Sequence, residues 1–202
     1  MSSTQRQSAQ RVLPMVSELL SDAEISMSDI QLISVVAGPG SFTGVRIGVA
    51  VAQGLSLSCE IPVVPLSSLA LLAMAAISEG SGDRVLVSEE AREGELYFAA
   101  YQRSDSKGVE IVGAEQVARP ENFETLPNEL QDAAWCFAGD GWARQADIIR
   151  QLGAVAKGQP QIPVISNQVI ANLALLRFNC GEAVAAAQLR PNYVKEQLDY
   201  TQ

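Results

Sequence analysis

A glycine-rich turn between an apolar strand and a helix is the part of this sequence most suggestive of binding chemistry. Free backbone N–H groups at the helix start, two hydroxyl side chains and the positive end of the helix dipole could together hold an anion. The same glycines would also permit a tight turn and close packing of the helix, so both interpretations are open. The candidate anion-binding residues are Gly38, Gly40, Ser41, Thr43 and Gly44.

The turn does not match the established phosphate-binding motifs. A P-loop requires a lysine directly after its last glycine, whereas Val45 follows Gly44. A dinucleotide-binding fingerprint reads G-x-G-x-x-G and has an acidic residue at the end of the next strand. The glycines here are spaced G-x-G-x-x-x-G, and the next strand ends near Val64 without an acid. The sequence therefore argues against a P-loop ATPase and against a Rossmann dinucleotide site.

Two acidic segments offer further candidate chemistry. Asp140, which lies between two glycines, could hold a magnesium-bound water or could simply cap the helix that follows. In the acidic run at residues 89–93, paired carboxylates could act as acid and base or bind a cation. An exposed hairpin in which Arg92 pairs with a neighbouring acid is the plainer account of that run. The sequence favours the structural interpretation of both segments.

The composition argues against several classes of catalyst. The 202 residues contain no histidine, which removes the commonest general base, the Ser-His and Cys-His nucleophile pairs, and imidazole metal ligands. A formal charge of -9 argues that this chain does not grip a phosphate backbone alone, so any RNA contact should come through partners. The charged fraction of 18% is low, which favours a surface covered by another protein.

The cysteines and the apolar segments point to a cytoplasmic protein. Cys59, Cys136 and Cys180 are odd in number, widely spaced and set in apolar stretches, so we predict reduced core thiols rather than disulfides. The longest apolar helix predicted, at residues 69–77, is far shorter than the roughly 18 residues that a bilayer requires. The N-terminus carries no apolar signal region, so we predict no membrane span.

These candidate residues need an α/β framework to position them. A buried strand is predicted at residues 32–37, a helix at 44–58 and a second strand at 62–65. The Gly- and Ser-rich break at 79–83 divides the chain into an N-terminal lobe, residues 1–80, and a C-terminal lobe, residues 81–202, whose last helix could return to the first lobe. The other predicted elements are helices at 8–21, 67–78, 120–130, 140–151 and 167–178, and strands at 85–88, 96–102, 109–112 and 135–138.

Several longer strings carry a resemblance to a known family. They are QRVLP from Gln10, GPGSFTGVRIGVAVAQGL from Gly38, IPVVPLSSL from Ile61, EAREGELY from Glu90 and PNYV from Pro191. Together they span nearly the whole chain and closely resemble the TsaB (YeaZ) family of bacterial tRNA threonylcarbamoylation proteins. The resemblance implies an actin-like, ribonuclease-H-related ATPase fold in two lobes that has lost its own catalysis.

The same resemblance implies a noncatalytic scaffold that activates a TsaD-like catalytic paralogue, with a TsaE-like ATPase and tRNA joining through the complex. The resemblance implies no cofactor for this subunit and is compatible with ATP or ADP at the complex interface. It also implies that the chain forms a homodimer when it is alone. The paralogue's H-x-x-x-H metal pair reads Ser68 and Leu72 here, so that metal cannot be held. The first two helices are implied to form the interface through Leu13, Val16, Leu20, Val45, Gly48, Val49 and Ala52. Purely internal packing of these helices stays open as the alternative.

One departure from the family pattern is large, and other functions stay open beside the scaffold. Family members begin with strands that precede the Gln-Arg-x-Leu-Pro helix, whereas this sequence starts at that helix, which predicts an incomplete N-terminal lobe. An actin-like nucleotide-binding enzyme would use the turns at 38–44 and 139–141 around a metal nucleotide. A self-contained homodimer would ignore the paralogue. A peptidase, as the family was once labelled, would need zinc ligands that this sequence lacks.

Overall fold

The computed structural model describes residues 3–122, 134–144, 148 and 155–194. Its contacts divide the chain into two units, the first made of Met1–Ser67 and Arg177–Asn192 and the second of Ser68–Leu176 and Tyr193–Gln202. The division falls after Ser67, whereas the sequence placed the lobe boundary after residue 80. The chain returns to the first unit at Arg177, near the end of its last described helix.

The first unit is a βαβ arrangement with one further helix. It contains helix α1 (Ser3–Asp22), strand β1 (Ile33–Gly38), helix α2 (Phe42–Cys59) and strand β2 (Val63–Ser67). β1 and β2 pair in parallel, with Ile33 opposite Val63, and α2 supplies the crossover that parallel strands require. The core of this unit includes a cluster of five buried side chains, Ala37, Val49, Ala52, Val63 and Leu189.

The second unit is built on a mixed sheet of five described strands in the order β5-β4-β3-β6-β7. They are β3 (Arg84–Glu90), β4 (Leu96–Ser104), β5 (Gly108–Ala118), β6 (Ala134–Ala138) and β7 (Val155–Ala156). The first three form antiparallel hairpins, while β6 runs parallel to β3 and β7 parallel to β6. Helices α3 (Ser68–Ser78) and α4 (Asn167–Asn179) complete the unit's described elements, and the last residues of α4 belong to the first unit.

Trp142 lies in one of the apolar clusters of the second unit. Its ring centroid lies 4.6 Å from that of Phe137 and 6.4 Å from that of Phe98, and its indole N–H donates to the Ala138 carbonyl at 2.8 Å. A buried indole needs such a partner for its N–H, so this bond fixes the ring over the sheet. The remaining buried members of the cluster are Leu86, Leu96, Ala100, Trp135 and Ile148.

The predicted elements that fall on described residues are present, with several corrections to their extent and burial. α1 and β5 extend beyond the predicted residues, and Pro14 lies well inside α1. The strand predicted to be buried, β1, is only partly so, because the Val36 side chain is exposed. The helices predicted at 120–130 and 140–151 fall largely outside the described residues. Short 3-10 helices cover their described starts, Pro120–Asn122 and Gly141–Arg144.

The cysteines are all free thiols, but the prediction that they lie in the core is wrong for two of them. Cys136, in the buried strand β6, is the core residue. Cys59 and Cys180 are exposed, because Cys59 ends α2 and Cys180 directly follows α4. Apolar neighbours in the sequence did not distinguish a helix interior from a helix end.

α2 also corrects the prediction about apolar helices. Residues 69–77 were predicted to be the longest apolar helix. Among the described residues, α2 is instead the helix whose length and composition would allow it to cross a membrane. Its 18 residues include one charged side chain, Arg46. Core helices of proteins that span no membrane pass the same test, so length and composition assign no span here.

The end of α2 supplies a first stability prediction. Glu60 caps the helix in the left-handed conformation, with φ +55° and ψ +30°, and its N–H donates to the Ser56 carbonyl. Since glycine adopts this conformation without a Cβ penalty, Glu60→Gly should raise the free energy of unfolding by about 0.5–1 kcal/mol. Denaturant unfolding measures the change. Glu60→Ala, which removes the charge and keeps the Cβ, should give no gain, and an equal gain from both variants would contradict the explanation.

Candidate functional site

The glycine-rich turn between β1 and α2 packs against a distant segment of the chain, the residues around Asn192. Gly38 has a φ of +116°, which favours glycine, and a Cβ there would lie 2.8 Å from the carbonyl oxygen of Asn192. The Asn192 N–H donates to the Ala37 carbonyl at 2.7 Å. Two strings that are separate in the sequence, around Gly38 and around Asn192, therefore meet in space. This contact explains Gly38 without any ligand.

The start of α2 offers modest anion-binding features. Ser41 is the N-cap residue, and its side chain makes no capping hydrogen bond. Gly40 and Gly44 are exposed and Thr43 is half-buried. On the first turn of the helix, the Arg46 guanidinium stacks over the Phe42 ring, 3.4 Å from its centroid. None of the described contacts assigns a ligand to this turn, so anion binding stays a prediction.

The predicted interface residues on α2 lie together on the side that faces its own sheet. Val49 and Ala52 are 3% and 4% exposed and belong to the core of the first unit. Val45 packs against the same cluster. A Cβ on Gly48 would lie 3.6 Å from Val35 of β1. These four residues therefore shape the fold of the unit, and a bulky residue at position 48 would disturb β1 before it could test any partner.

The predicted interface residues on α1 are more accessible. Val16 and Leu20, four residues apart, are half-buried, and Leu13 is exposed. The sequence interpretation missed Met15 and Leu19, which are also four residues apart and share an exposed face. The helical periodicity of α1 could have identified this pair, because it places Met15 and Leu19 on the face next to the one that contains Val16 and Leu20.

The exposed side of α2 was missed altogether. Five of its exposed residues recur every three or four positions and therefore line one face: Phe42, Arg46, Ala50, Gly54 and Leu57. Leu57 is 76% exposed, and a Cβ on Gly54 would meet no atom within 4 Å. Because α2 is apolar nearly all round, its sequence could not show which side faces the sheet. We refer to the exposed apolar and small residues of both helices as the α1–α2 surface: Leu13, Met15, Leu19, Phe42, Ala50, Gly54 and Leu57.

The Gly139-Asp140-Gly141 turn is explained by close packing against β3. A Cβ on Gly139 would overlap the Ser88 carbonyl oxygen, and a Cβ on Gly141 would overlap the Ser88 hydroxyl. Asp140 does not act as the predicted helix cap among the described contacts. Its Oδ1 instead accepts a hydrogen bond from the Glu90 N–H at 2.9 Å, which ties the turn to the end of β3.

Glu89 is the most perturbed carboxyl group that the structure describes in the second unit. Burial of its side chain and the nearby charge of Asp140 raise its pKa, and a hydrogen bond from the Ser68 hydroxyl, at 3.3 Å, opposes them by stabilising the carboxylate. The prediction that the 89–93 run forms a simply exposed hairpin is therefore wrong at its first residue. The turn itself is a hairpin, with Glu93 and Gly94 at positive φ and the Glu95 N–H bonded to the Arg92 carbonyl.

The raised pKa of Glu89 has a measurable consequence. Above its folded-state pKa the ionised, half-buried carboxylate destabilises the fold, and this cost disappears as the pH falls towards the ordinary value of 4.5. Glu89→Gln should therefore raise the melting temperature by a few degrees at pH 7, and the gain should shrink as the pH approaches 4.5. Thermal unfolding from pH 4.5 to 8 measures this difference. Glu93→Gln removes one charge from the nearby hairpin turn as a control, and a matching pH profile in that variant would refute the assignment.

The surroundings of the hairpin offer little for a metal or a nucleotide. A small cleft of about 160 Å³ opens beside it, lined by backbone and side chains that include Glu90, Glu95, Pro120 and Gly141. Within the described parts of the chain, no three His, Cys, Asp or Glu side chains lie close enough together to hold a metal ion. At the positions where the resemblance places the paralogue's metal pair, Ser68 bonds to Glu89 and Leu72 is buried in the core.

Comparison with known proteins decides the family. Residues 2–187 match the family described as TsaD, tRNA N6-adenosine threonylcarbamoyltransferase. The tRNA threonylcarbamoyladenosine biosynthesis protein TsaB of Escherichia coli is 34% identical over 194 residues, which cover 96% of this chain and 83% of that protein. The chain belongs to the TsaB (YeaZ) family. The TsaB protein of Haemophilus influenzae is 28% identical over 204 residues, covering 97% of this chain and 83% of its own length.

Solved structures support the fold assignment for this TsaB-family chain. The structure of YeaZ from Pseudomonas aeruginosa matches with a TM-score of 0.77 and 34% identity, over 92% of this chain and 83% of that one. A second Pseudomonas aeruginosa structure, described as similar to peptidase YeaZ, matches with the same TM-score and 35% identity over the same shares. The predicted α/β, actin-like and ribonuclease-H-like fold is therefore confirmed.

Proposed function

We propose that this chain is the noncatalytic scaffold of a tRNA N6-threonylcarbamoyladenosine modification complex, where it binds and activates a TsaD-like catalytic subunit. The α1–α2 surface is the observation that carries the proposal. Leu19 and Leu57 are 66% and 76% exposed, and with the exposed Leu13 and Met15 they place accessible apolar side chains on two neighbouring helices. Exposed apolar groups of this kind are typical of a protein interface.

The chemistry of the chain supports a positional role. The whole sequence has no histidine, and the described residues include no cluster of metal-binding side chains. A subunit without a general base of the usual kind or a metal site can still activate a partner by holding it in its active arrangement. The match to the TsaD family over residues 2–187 fits a paralogue that keeps the fold and has lost the catalytic groups.

The proposed assembly also assigns the remaining partners. A chain of formal charge -9 is poorly suited to hold tRNA alone, so tRNA binds through the complex and a TsaE-like ATPase joins at the paired subunits. No cofactor is required by this subunit, and ATP or ADP belongs to the complex interface. Without its partner the chain forms a homodimer through the same apolar surface. The site of action is the cytoplasm, where tRNA is modified.

The autonomous nucleotide-binding enzyme has less support than the scaffold. The turn at Gly38 is engaged by Asn192, and the turn at Asp140 is packed against Ser88, so both turns have structural explanations. Titration calorimetry with ATP and magnesium separates the two proposals, because the scaffold should give no binding heat on its own. Saturable binding by the isolated chain would favour the enzyme.

Reconstituted tRNA modification tests the scaffold directly. The TsaD-like subunit, the TsaE-like ATPase and the threonylcarbamoyl donor are mixed with tRNA, with and without this chain, and modified adenosine is measured by mass spectrometry. We expect turnover when this chain is present, little turnover without it, and none from this chain alone. Turnover at the same rate without the chain would contradict the proposal.

A further inference from the structure

The C-terminal segment of the first unit contacts its elements one after another. Residues 184–192, which we call the strap, begin where Val184 and Val63 of β2 exchange N–H···O bonds of 2.9 and 2.8 Å. Leu189 follows with its side chain fully buried in the core of the unit. The strap ends where the Asn192 N–H donates to the Ala37 carbonyl of β1. A single short segment, with one 3-10 turn at Ala186–Gln188, therefore contacts both strands of the unit and fills part of its core.

α2 holds the strap through one side chain. Gln53 is half-buried, and its Nε2 donates to the Leu189 carbonyl at 3.0 Å and to the Ala186 carbonyl at 3.4 Å. Ala52 next to it lies in the same buried cluster as Leu189. The contact between α2 and the strap thus combines apolar burial with two hydrogen bonds from one amide group.

The far end of the strap fits the turn that starts α2. The Asn192 carbonyl occupies the space that a side chain at Gly38 would need, and a Cβ at Gly38 would also lie 3.7 Å from a methyl group of Val45 on the first turns of α2. Displacing the strap would therefore uncover the Leu189 site, release Gln53 and remove the support of the Gly38 turn together. Each of these contacts bears on the position of α2.

We propose that the strap is a positioning element for α2, and that the strap and α2 open and close as one cooperative unit. The strap is required for α2 to present the α1–α2 surface, a consequence that rests on the proposed scaffold function. The coupling itself depends on the contacts within the first unit alone. Gln53 acts through the strap, to which its side-chain amide donates both hydrogen bonds.

Native-state hydrogen exchange of the full chain tests the coupling. The Val184 and Asn192 amides report on the strap, and amides in the middle of α2 report on the helix. We expect both sets to exchange through the same opening, and Gln53→Ala to speed both by about tenfold, since it removes two hydrogen bonds to partly buried carbonyls. Gln53→Met keeps the volume and should do the same. Gln168→Ala, which removes an exposed bond to Asn172 in the second unit, should change neither set.

The outcomes of this experiment distinguish a failure of the strap proposal from a failure of the proposed scaffold function. Faster exchange of the strap with α2 unchanged would overturn the inference, as would no change in either set on replacing Gln53. A mixing experiment with a TsaD-like subunit provides the second readout. If the wild-type chain shows coupled exchange but binds no such subunit, the positioning role within the unit stands and the scaffold function fails. A tenfold faster opening still leaves the closed form of α2 dominant, so Gln53→Ala should leave the affinity for such a subunit nearly unchanged. If the wild type binds and Gln53→Ala speeds exchange of the strap alone, the scaffold function stands and the positioning role fails.

Discussion

Gly139→Ala is expected to destabilise the second unit by about 3–5 kcal/mol, enough to leave much of the protein unfolded at 37 °C. A Cβ at this position would overlap the backbone carbonyl oxygen of Ser88, and the φ of +103° is one that side chains rarely adopt. The carbonyl belongs to β3, which is paired with β4 on one side and β6 on the other. The strand cannot move away without breaking one of these ladders.

Gly80→Ala is the matched control for that substitution. Gly80 has a φ of +84°, and a Cβ there would meet no atom within 4 Å. This variant therefore carries the backbone strain without the clash and should lose only about 1 kcal/mol. Urea unfolding of both variants measures the difference. Equal losses would mean that β3 can accommodate the added methyl group and that close packing does not explain the glycine turn.

Leu57→Arg is expected to weaken binding to a TsaD-like subunit by about 100-fold while leaving the fold intact. Leu57 is 76% exposed in the isolated chain, so its replacement costs little folding energy. In the proposed complex the same position is covered by an apolar partner surface, where an unpaired guanidinium is costly. Calorimetric titration gives the affinity, and thermal unfolding of the variant alone verifies the fold.

Gly54 provides a graded control on the same face of α2. A Cβ at Gly54 meets nothing within 4 Å, so Gly54→Ala should stabilise the helix by about 0.5–1 kcal/mol and Gly54→Arg should be tolerated in the isolated chain. In the complex, the arginine variant should bind far more weakly than the alanine variant. Equal affinities of the two variants for the TsaD-like subunit would show that the interface does not include this side of α2. Gly48 is unsuitable for this test because it faces Val35 within the unit.

The sequence predicted the framework well because its signals are local. The alternation of strands and turns in residues 84–118, the long apolar run of β1 and the glycine break after α3 each reflect the preferences of a few neighbouring residues. The strings shared with the TsaB family then supplied the fold, which the structural matches confirm. The limits of the helices and the exposure of their ends were predicted less well. α1 continues past Pro14, and exposed cysteines lie at or directly after the ends of α2 and α4, because both features depend on packing rather than on local preference.

The candidate site was harder to predict because it depends on which way side chains point. Gly38 looked like part of an anion-binding turn, yet its neighbour is Asn192, a residue more than 150 positions away in the chain. α2 is apolar on nearly every side, but the side against the sheet contains Val49 and Ala52, and the open side contains Leu57. The register of α2 on β1 and β2 decides between them, and no pattern within α2 encodes that register.

The mass of the complex formed with a TsaD-like catalytic subunit tests the central claim most directly. Equimolar amounts of the two chains are mixed, separated by size exclusion and measured by light scattering, with Leu57→Arg run in parallel. The scaffold account predicts one species whose mass is the sum of one copy of each chain, and its loss with Leu57→Arg. Two separate peaks for the wild-type mixture, with this chain running alone or as its own dimer, would contradict the account.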